Sequence, residues 1–201
     1  VKVVVTVSNF AEVFRALDVS DLIELRLDLF PKFPDERKLI GIKKPVIVTV
    51  RREREGGMFK GDEIRRLDAI ARYSSYAKYV DLECDVPDEY FELMKCGVIE
   101  SYHNLKETPC YEFLKDLVES RRGDIFKIAT MGRDKTDVLK IVRLLCEYDN
   151  LIAFLMGDEF AYTRILSLFL GSPFIYCSLD KSIAPGQLEV NKVRKILGIL
   201  R

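Results

Sequence analysis

The feature that most constrains this chain is a regular alternation of two hydrophobic periods. Short β-branched runs fall at about residues 1–7, 22–27, 46–51, 79–84, 98–103, 124–131, 151–156 and 174–179. Segments with helical spacing follow them, at about 9–17, 34–42, 61–76, 87–95, 110–121, 134–147, 158–170 and 187–199. Turn signals mark the joints, among them "GG" at 56–57, "RRGD" at 121–124 and "GSP" at 171–173. A strand-length run followed by an amphipathic stretch is a βα unit, and such units join through parallel strands. Eight of them in strict alternation predict an α/β fold, a closed (β/α)8 TIM barrel. The alternative is an open doubly wound sheet. That fold usually carries a Gly-rich phosphate loop after its first strand, and "TVSNFAEV" offers none.

The 201 residues contain no linker and no low-complexity segment, so one domain over 1–201 is expected. Lys+Arg and Asp+Glu are both 32, which leaves no basic surplus for nucleic acid and no charge block for a membrane surface. The apolar runs are too short to span a bilayer, and "VKVVVTVSNF" lacks a signal core. Five cysteines, Cys84, Cys96, Cys110, Cys146 and Cys177, form no CxxC pair. They read as reduced, buried thiols of a cytoplasmic protein. High charge with few amides fits a heat-adapted chain. A single histidine argues against a zinc barrel, and no metal or other cofactor is expected.

A barrel places its chemistry at the C-terminal ends of the strands. In "LIELRLDLF", Glu24, Arg26 and Asp28 share one face and Ile23, Leu25 and Leu27 the other. Helices cover the outside of a barrel, so Glu24 and Arg26 would point into its mouth, where burying charge is costly. An ordinary half-exposed strand would turn the same face to solvent. Arg51 closes the third run, and Glu55 follows in a loop whose Gly56 and Gly57 allow close approach of backbone to a ligand. A solvated charged loop is the plainer reading of that stretch. Asp81 and Glu83 share one face of "YVDLECD", and the lone His103 ends "VIESYHN". A lone histidine is commonly a structural hydrogen-bonder, but this one stands at a strand end.

The stretch "DIFKIATM" at 124–131 carries Lys127 in the middle of an apolar run. An edge strand or a snorkelling side chain would explain it simply. The other explanation is an amine meant to be desolvated, since only a neutral amine attacks a carbonyl. Five successive runs then deliver Glu24, Arg26, Arg51, Glu83, His103 and Lys127 to one end of the expected barrel. Lysine and histidine with cations, and no metal set, is the chemistry of a Schiff base on a small anionic ketone or aldehyde.

These segments resemble the type I 3-dehydroquinate dehydratases of the shikimate pathway, almost end to end. The family's E-x-R-x-D strand is matched by "ELRLD" at 24–28, and its T-x-R-x-x-x-E-G-G stretch by "TVRREREGG" at 49–57. "SYHN" at 101–104 with "TP" at 108–109, "KIA" at 127–129, "TRILSLFLGS" at 163–172 and "APGQ" at 184–187 follow in the family's order. The resemblance implies a cofactor-free lyase that turns 3-dehydroquinate into 3-dehydroshikimate, with Lys127 forming the imine and His103 acting as general base and then acid. Burial and nearby cations would lower the lysine pKa. By the same resemblance Glu55 orients the histidine. Glu24, Arg26 and Arg51 hold the substrate, Arg164 clamps its carboxylate, Gln187 closes over it, and Met131 and Met156 form an apolar wall. A homodimer is implied as well.

Two departures stand out. Many members have Ser directly before A-P-G-Q, where this chain has Ile183, with Ser182 one residue earlier. The first run also begins at residue 1, without the extra segment that forms an N-terminal hairpin in some members. The rivals are a class I aldolase or transaldolase barrel and a non-catalytic binding barrel. The acids of "FLMGDEF" disfavour the phosphate grip of the first. The joint presence of Lys127 and His103 disfavours the second, and polar strand ends disfavour a mere scaffold.

Overall fold

The computed structural model describes residues 2–199, so Val1 of the first expected strand lies outside the described residues. The strands are β1 (Lys2–Val7), β2 (Leu22–Arg26), β3 (Val46–Thr49), β4 (Tyr79–Glu83), β5 (Gly97–Asn104), β6 (Ile125–Met131), β7 (Leu151–Met156), β8 (Phe174–Ser178) and β9 (Leu188–Glu189). The helices are α1 (Phe10–Ala16), α2 (Glu63–Ser74), α3 (Asp88–Glu92), α4 (Tyr111–Glu119), α5 (Lys135–Glu147), α6 (Tyr162–Phe169) and α7 (Val190–Ile199). The strands form one parallel sheet in the order β7-β6-β5-β4-β3-β2-β1-β8-β9.

The sheet curls into the expected barrel-like (β/α)8 arrangement. Among the described residues no ladder joins β7 to β8; the Ser172 hydroxyl donates to the Leu151 carbonyl at 2.9 Å there, and the short β9 lies along β8. Alternation sorts each strand's two faces. Val3, Val5, Ile23, Leu25 and Val48 point outward into the main layer between sheet and helices. Val4, Leu22, Ile47, Ile99, Ile152 and Phe174 point inward and share a second cluster that fills the interior. Both faces are buried, so the strands read as nearly continuous apolar runs.

One expected helix is replaced. The stretch foreseen at 34–42 forms 3-10 turns over Glu36–Gly41. Pro34, Gly41 and Pro45 fence it in, leaving too few residues to nucleate an α-helix. The last helix begins at Val190, because Leu188 and Glu189 pair with β8. Elsewhere caps set the helix starts. Asn9 accepts from the Glu12 amide, Asp62 from that of Arg65, and Asp134 from those of Thr136 and Asp137.

The cysteines are free, as expected, but the expectation that all are buried is corrected. Cys177 is buried, Cys84 and Cys96 are half-buried, and Cys110 and Cys146 are exposed. Cys110 precedes α4, and Cys146 lies off the face that α5 buries through Ile141, Leu144 and Leu145. No helix among the described residues is long and apolar enough to cross a membrane.

Candidate active site

Above the apolar floor, the inward side chains become polar. Glu24 and Arg26 follow Leu22 on β2, Thr49 and Arg51 follow Ile47 along β3, and Ser101 and His103 follow Ile99 on β5. Lys127 follows Ile125 on β6. All eight residues expected in the site line one cavity at this end of the sheet: Lys127, His103, Glu55, Glu24, Arg26, Arg51, Arg164 and Gln187.

Lys127 is buried, 6% exposed, so the snorkelling explanation fails. Its Nζ lies 3.2 Å from Asp81 Oδ2 and 4.3 Å from the centre of the Tyr176 ring. The expected burial holds, but the group that touches the amine is an anion, and the cation Arg51 stands behind it. Asp81 also meets Arg51 Nη2 at 2.7 Å and accepts from the Ser101 hydroxyl at 2.6 Å. Burial alone would raise the Asp81 pKa. Arg51, Lys127 and His103 outweigh it and hold the carboxyl well below the usual carboxylate range.

His103 stands on the strand beside Lys127, one inward step nearer the mouth, since Ser101 is the residue in register with the lysine. Burial, then the charges of Arg51 and Lys127, push its pKa well below the ordinary histidine value, against the opposing pull of Asp81. The imidazole is thus neutral at neutral pH and able to accept a proton. Its Nδ1 is buried without a hydrogen-bond partner.

Glu55 lies in the 3-10 turn Glu53–Glu55, held by Arg52 Nη2 at 2.7 Å and 3.6 Å from Arg51. No hydrogen bond joins it to His103. Burial and the Glu83 charge raise its pKa to about 7, against Arg51 and Arg52. Gly56 has φ +81°, and a Cβ on Gly57 would lie 2.0 Å from the Arg51 carbonyl oxygen. Gly56 lines the cavity, while Gly57 makes its close approach to the chain's own backbone and folds the loop back over β3.

The three arginines of the cavity differ in partners. Arg26 forms a two-point pair with Asp28, at 2.9 and 2.8 Å. Arg51 meets Asp81 and, at 2.9 Å, Glu83. Arg164, on α6, has no carboxylate within 4.0 Å among the described residues; one Nη donates to the Pro185 carbonyl and its Nε is buried without a partner. Its guanidinium stacks 3.9 Å above the Phe154 ring. Burial lowers its pKa to about 10, which still leaves it cationic near neutral pH.

Gln187 closes the loop after β8. Its Nε2 donates to Thr6 Oγ1 at 3.2 Å and its Oε1 accepts from the Ile183 amide at 3.0 Å. Ile183 lines the cavity, whereas the exposed Ser182 turns its hydroxyl to the Ala184 carbonyl and does not replace it. Glu83 reaches this end of the sheet, as expected, where it bridges Arg51 and the buried Arg66 of α2 outside the cavity lining. One expectation about the cavity is corrected. Of the two methionines, only Met156 lines it; Met131 ends β6 half-buried. Sequence reasoning missed Thr6, Thr49, Phe154 and Tyr176 as lining residues, and Asp81 as the partner of the lysine.

A buried amine, a neutral imidazole and a guanidinium with no carboxylate partner among the described residues thus meet on one cavity at the C-terminal strand ends of a barrel-like fold. The family model "Type I 3-dehydroquinase" matches residues 1–201. A 3-dehydroquinate dehydratase of Archaeoglobus fulgidus is 47% identical over 201 residues, 99% of each chain. That of Methanopyrus kandleri is 39% identical over 189 residues, covering 90% of this chain and 88% of the relative. The crystal structure of the Geobacillus kaustophilus 3-dehydroquinate dehydratase superposes with a TM-score of 0.82 at 26% identity, covering 99% of this chain and 90% of that one. The chain belongs to the type I 3-dehydroquinase family.

Proposed function

We propose that this chain dehydrates 3-dehydroquinate to 3-dehydroshikimate, in the shikimate pathway of aromatic amino acid biosynthesis, through an imine on Lys127. The observation that carries the reading is the placement of Lys127, His103 and the unpaired Arg164 on one cavity. The family and the names of the relatives above support the substrate.

The neutral Lys127 amine adds to the C3 ketone, and loss of water gives the protonated imine. The proton that leaves the Lys127 ammonium first returns to the carbinolamine oxygen as that oxygen departs as water, so imine formation leaves His103 neutral for the next step. The cationic imine draws electrons from C2, and His103 removes the C2 proton. The electron pair returns to expel the C1 hydroxyl, which leaves as water with the proton that His103 now carries. Hydrolysis of the imine frees the product and Lys127, so the net change is loss of one water. Asp81 touches the nitrogen that bears the positive charge, and its carboxylate stabilises that cation.

Arg164, with no carboxylate partner among the described residues, clamps the substrate carboxylate with its fork of N–H groups. Arg26 and Arg51 are already ion-paired, so with Glu24 they position hydroxyls. Gln187 ties the covering loop to β1 through Thr6. In this reading Glu55 steadies His103 once substrate occupies the site. The protein is cytoplasmic and works as a homodimer. Exposed apolar side chains such as Leu139 of α5 and Phe169 of α6 offer surface for that contact. Sedimentation velocity tests the dimer.

The imine is tested by mixing protein with 3-dehydroquinate, reducing with borohydride and mapping the adduct by peptide mass spectrometry. Reduced adduct on Lys127 is the expected result. Folded protein with no adduct, or an adduct elsewhere, would overturn the mechanism.

A further inference from the structure

Tyr176 lines the cavity and takes no part in the steps above. It points inward from β8 and is 4% exposed. Its hydroxyl is buried and has no hydrogen-bond partner. A buried tyrosine hydroxyl normally finds a partner, because burying it unpaired costs free energy with no return. A phenylalanine would fill the same space without that cost. The hydroxyl therefore calls for an explanation outside the packing of the chain.

The ring is fixed against the reacting amine, its centre 4.3 Å from Lys127 Nζ. Two torsions then set where the hydroxyl lies. Burial, and next the negative charge of Glu24, keep the phenol far from ionising, so it remains a donor. Glu24 supplies the complementary group. It is 4% exposed, and its two oxygens accept from Thr6 Oγ1 and Thr49 Oγ1, each at 2.8 Å. Both threonines orient the carboxylate, and it keeps further lone pairs for a ligand. A donor and an acceptor that line the same cavity suit a hydroxyl, which both accepts and donates.

We infer that Tyr176 is a specificity-determining residue: its hydroxyl donates to the substrate hydroxyl on C4, next to the imine carbon, while Glu24 accepts from that same hydroxyl. This rests on the imine reading, which fixes C3 at Lys127 and so brings its neighbour C4 beside the tyrosine ring. The site then selects ketones that carry a hydroxyl on the adjacent carbon. A substrate lacking it leaves the tyrosine unpaired.

The test compares wild type with Tyr176→Phe, on 3-dehydroquinate and on its 4-deoxy analogue, with borohydride trapping alongside. A contact to a spectator hydroxyl is uniform binding, so Tyr176→Phe should raise KM for 3-dehydroquinate about tenfold and leave kcat nearly unchanged. The analogue should show the same KM with both proteins. An unchanged KM for 3-dehydroquinate in Tyr176→Phe would overturn the inference. So would an equal penalty on both substrates, which would signal a packing effect. A second measurement needs no variant: wild type that binds the analogue as well as 3-dehydroquinate also overturns it. If wild type forms no adduct on Lys127, the imine reading falls and this inference with it. An adduct together with an unaffected Tyr176→Phe sinks this inference alone.

Discussion

Asp81 bridges Lys127 and Arg51: one carboxylate oxygen lies 3.2 Å from the lysine Nζ, the other 2.7 Å from the arginine Nη2. All three groups are buried. Removing the charge in Asp81→Asn leaves two like charges facing each other in a low-dielectric site. Breaking such a buried pair costs about 3–5 kcal/mol. The melting temperature should fall by about 10 °C. Turnover should fall at least about tenfold as well, since the cationic imine loses its counter-ion. Calorimetry and steady-state kinetics check both, and a variant with unchanged kcat would remove Asp81 from the mechanism.

Lys127→Ala should behave differently. It removes the nucleophile but leaves Asp81 paired with Arg51 and bonded to Ser101. Turnover should vanish while the circular dichroism spectrum stays that of the wild type. A variant with normal kcat would end the imine mechanism.

The alternation in "LIELRLDLF" made Glu24 and Arg26 legible as interior groups, because a barrel strand has no solvent face on which to place them. Lys127 was legible for the same reason. What stayed hidden depends on partners distant along the chain. Asp81 meets Lys127 across 46 positions, and no local pattern pairs them. Arg66 sits on a helix, where a charge reads as a solvated face, yet it is fully buried against Glu83. Tyr176 reads as core in any apolar strand, and only its unpaired hydroxyl sets it apart. The helix expected at 34–42 failed because the stretch fenced in by Pro34, Gly41 and Pro45 is too short to nucleate one, which periodicity alone does not weigh.

His103 sets the acid side of the pH profile. Its folded-state pKa is lowered well below the unfolded value of about 6.5. The unfolded chain therefore binds its proton first as pH falls. The stability this group contributes is fully present above about pH 6.5 and is lost as pH drops toward the lowered folded pKa. His103→Asn should flatten that part of the stability curve, measured by urea titration from pH 7 to 4. The variant should still trap an imine on Lys127 yet stall before proton abstraction. Failure to trap would refute the assigned role.

Glu55 runs the other way. Its folded pKa of about 7 lies above the unfolded value near 4.3, so the native state holds the proton longer. Stability from this group is complete below about pH 4.3 and is lost as pH rises through about 7. Glu55→Gln should therefore gain stability relative to wild type between those limits, and the gain should level off above about pH 8. Thermal melts at pH 4, 6 and 8 read this directly. A constant difference across the series would mean that Glu55 titrates normally.

Arg164 is a buried guanidinium stacked on Phe154, and among the described residues its one side-chain hydrogen bond goes to the Pro185 carbonyl and no carboxylate pairs with it. Burial works against its charge, which is why its pKa is lowered to about 10. Such a cation weakens the fold by itself and gains its partner when an anion enters. Arg164→Leu should therefore melt at or above the wild-type temperature while KM for 3-dehydroquinate rises about a hundredfold, the effect of a lost charge-assisted pair. Arg164→Lys keeps the charge but not the planar fork, and should fall between the two. Opposite changes in stability and affinity would mark Arg164 as the carboxylate clamp. A variant that loses stability and keeps its KM would make the residue structural, and the carboxylate would then belong to Arg26 or Arg51.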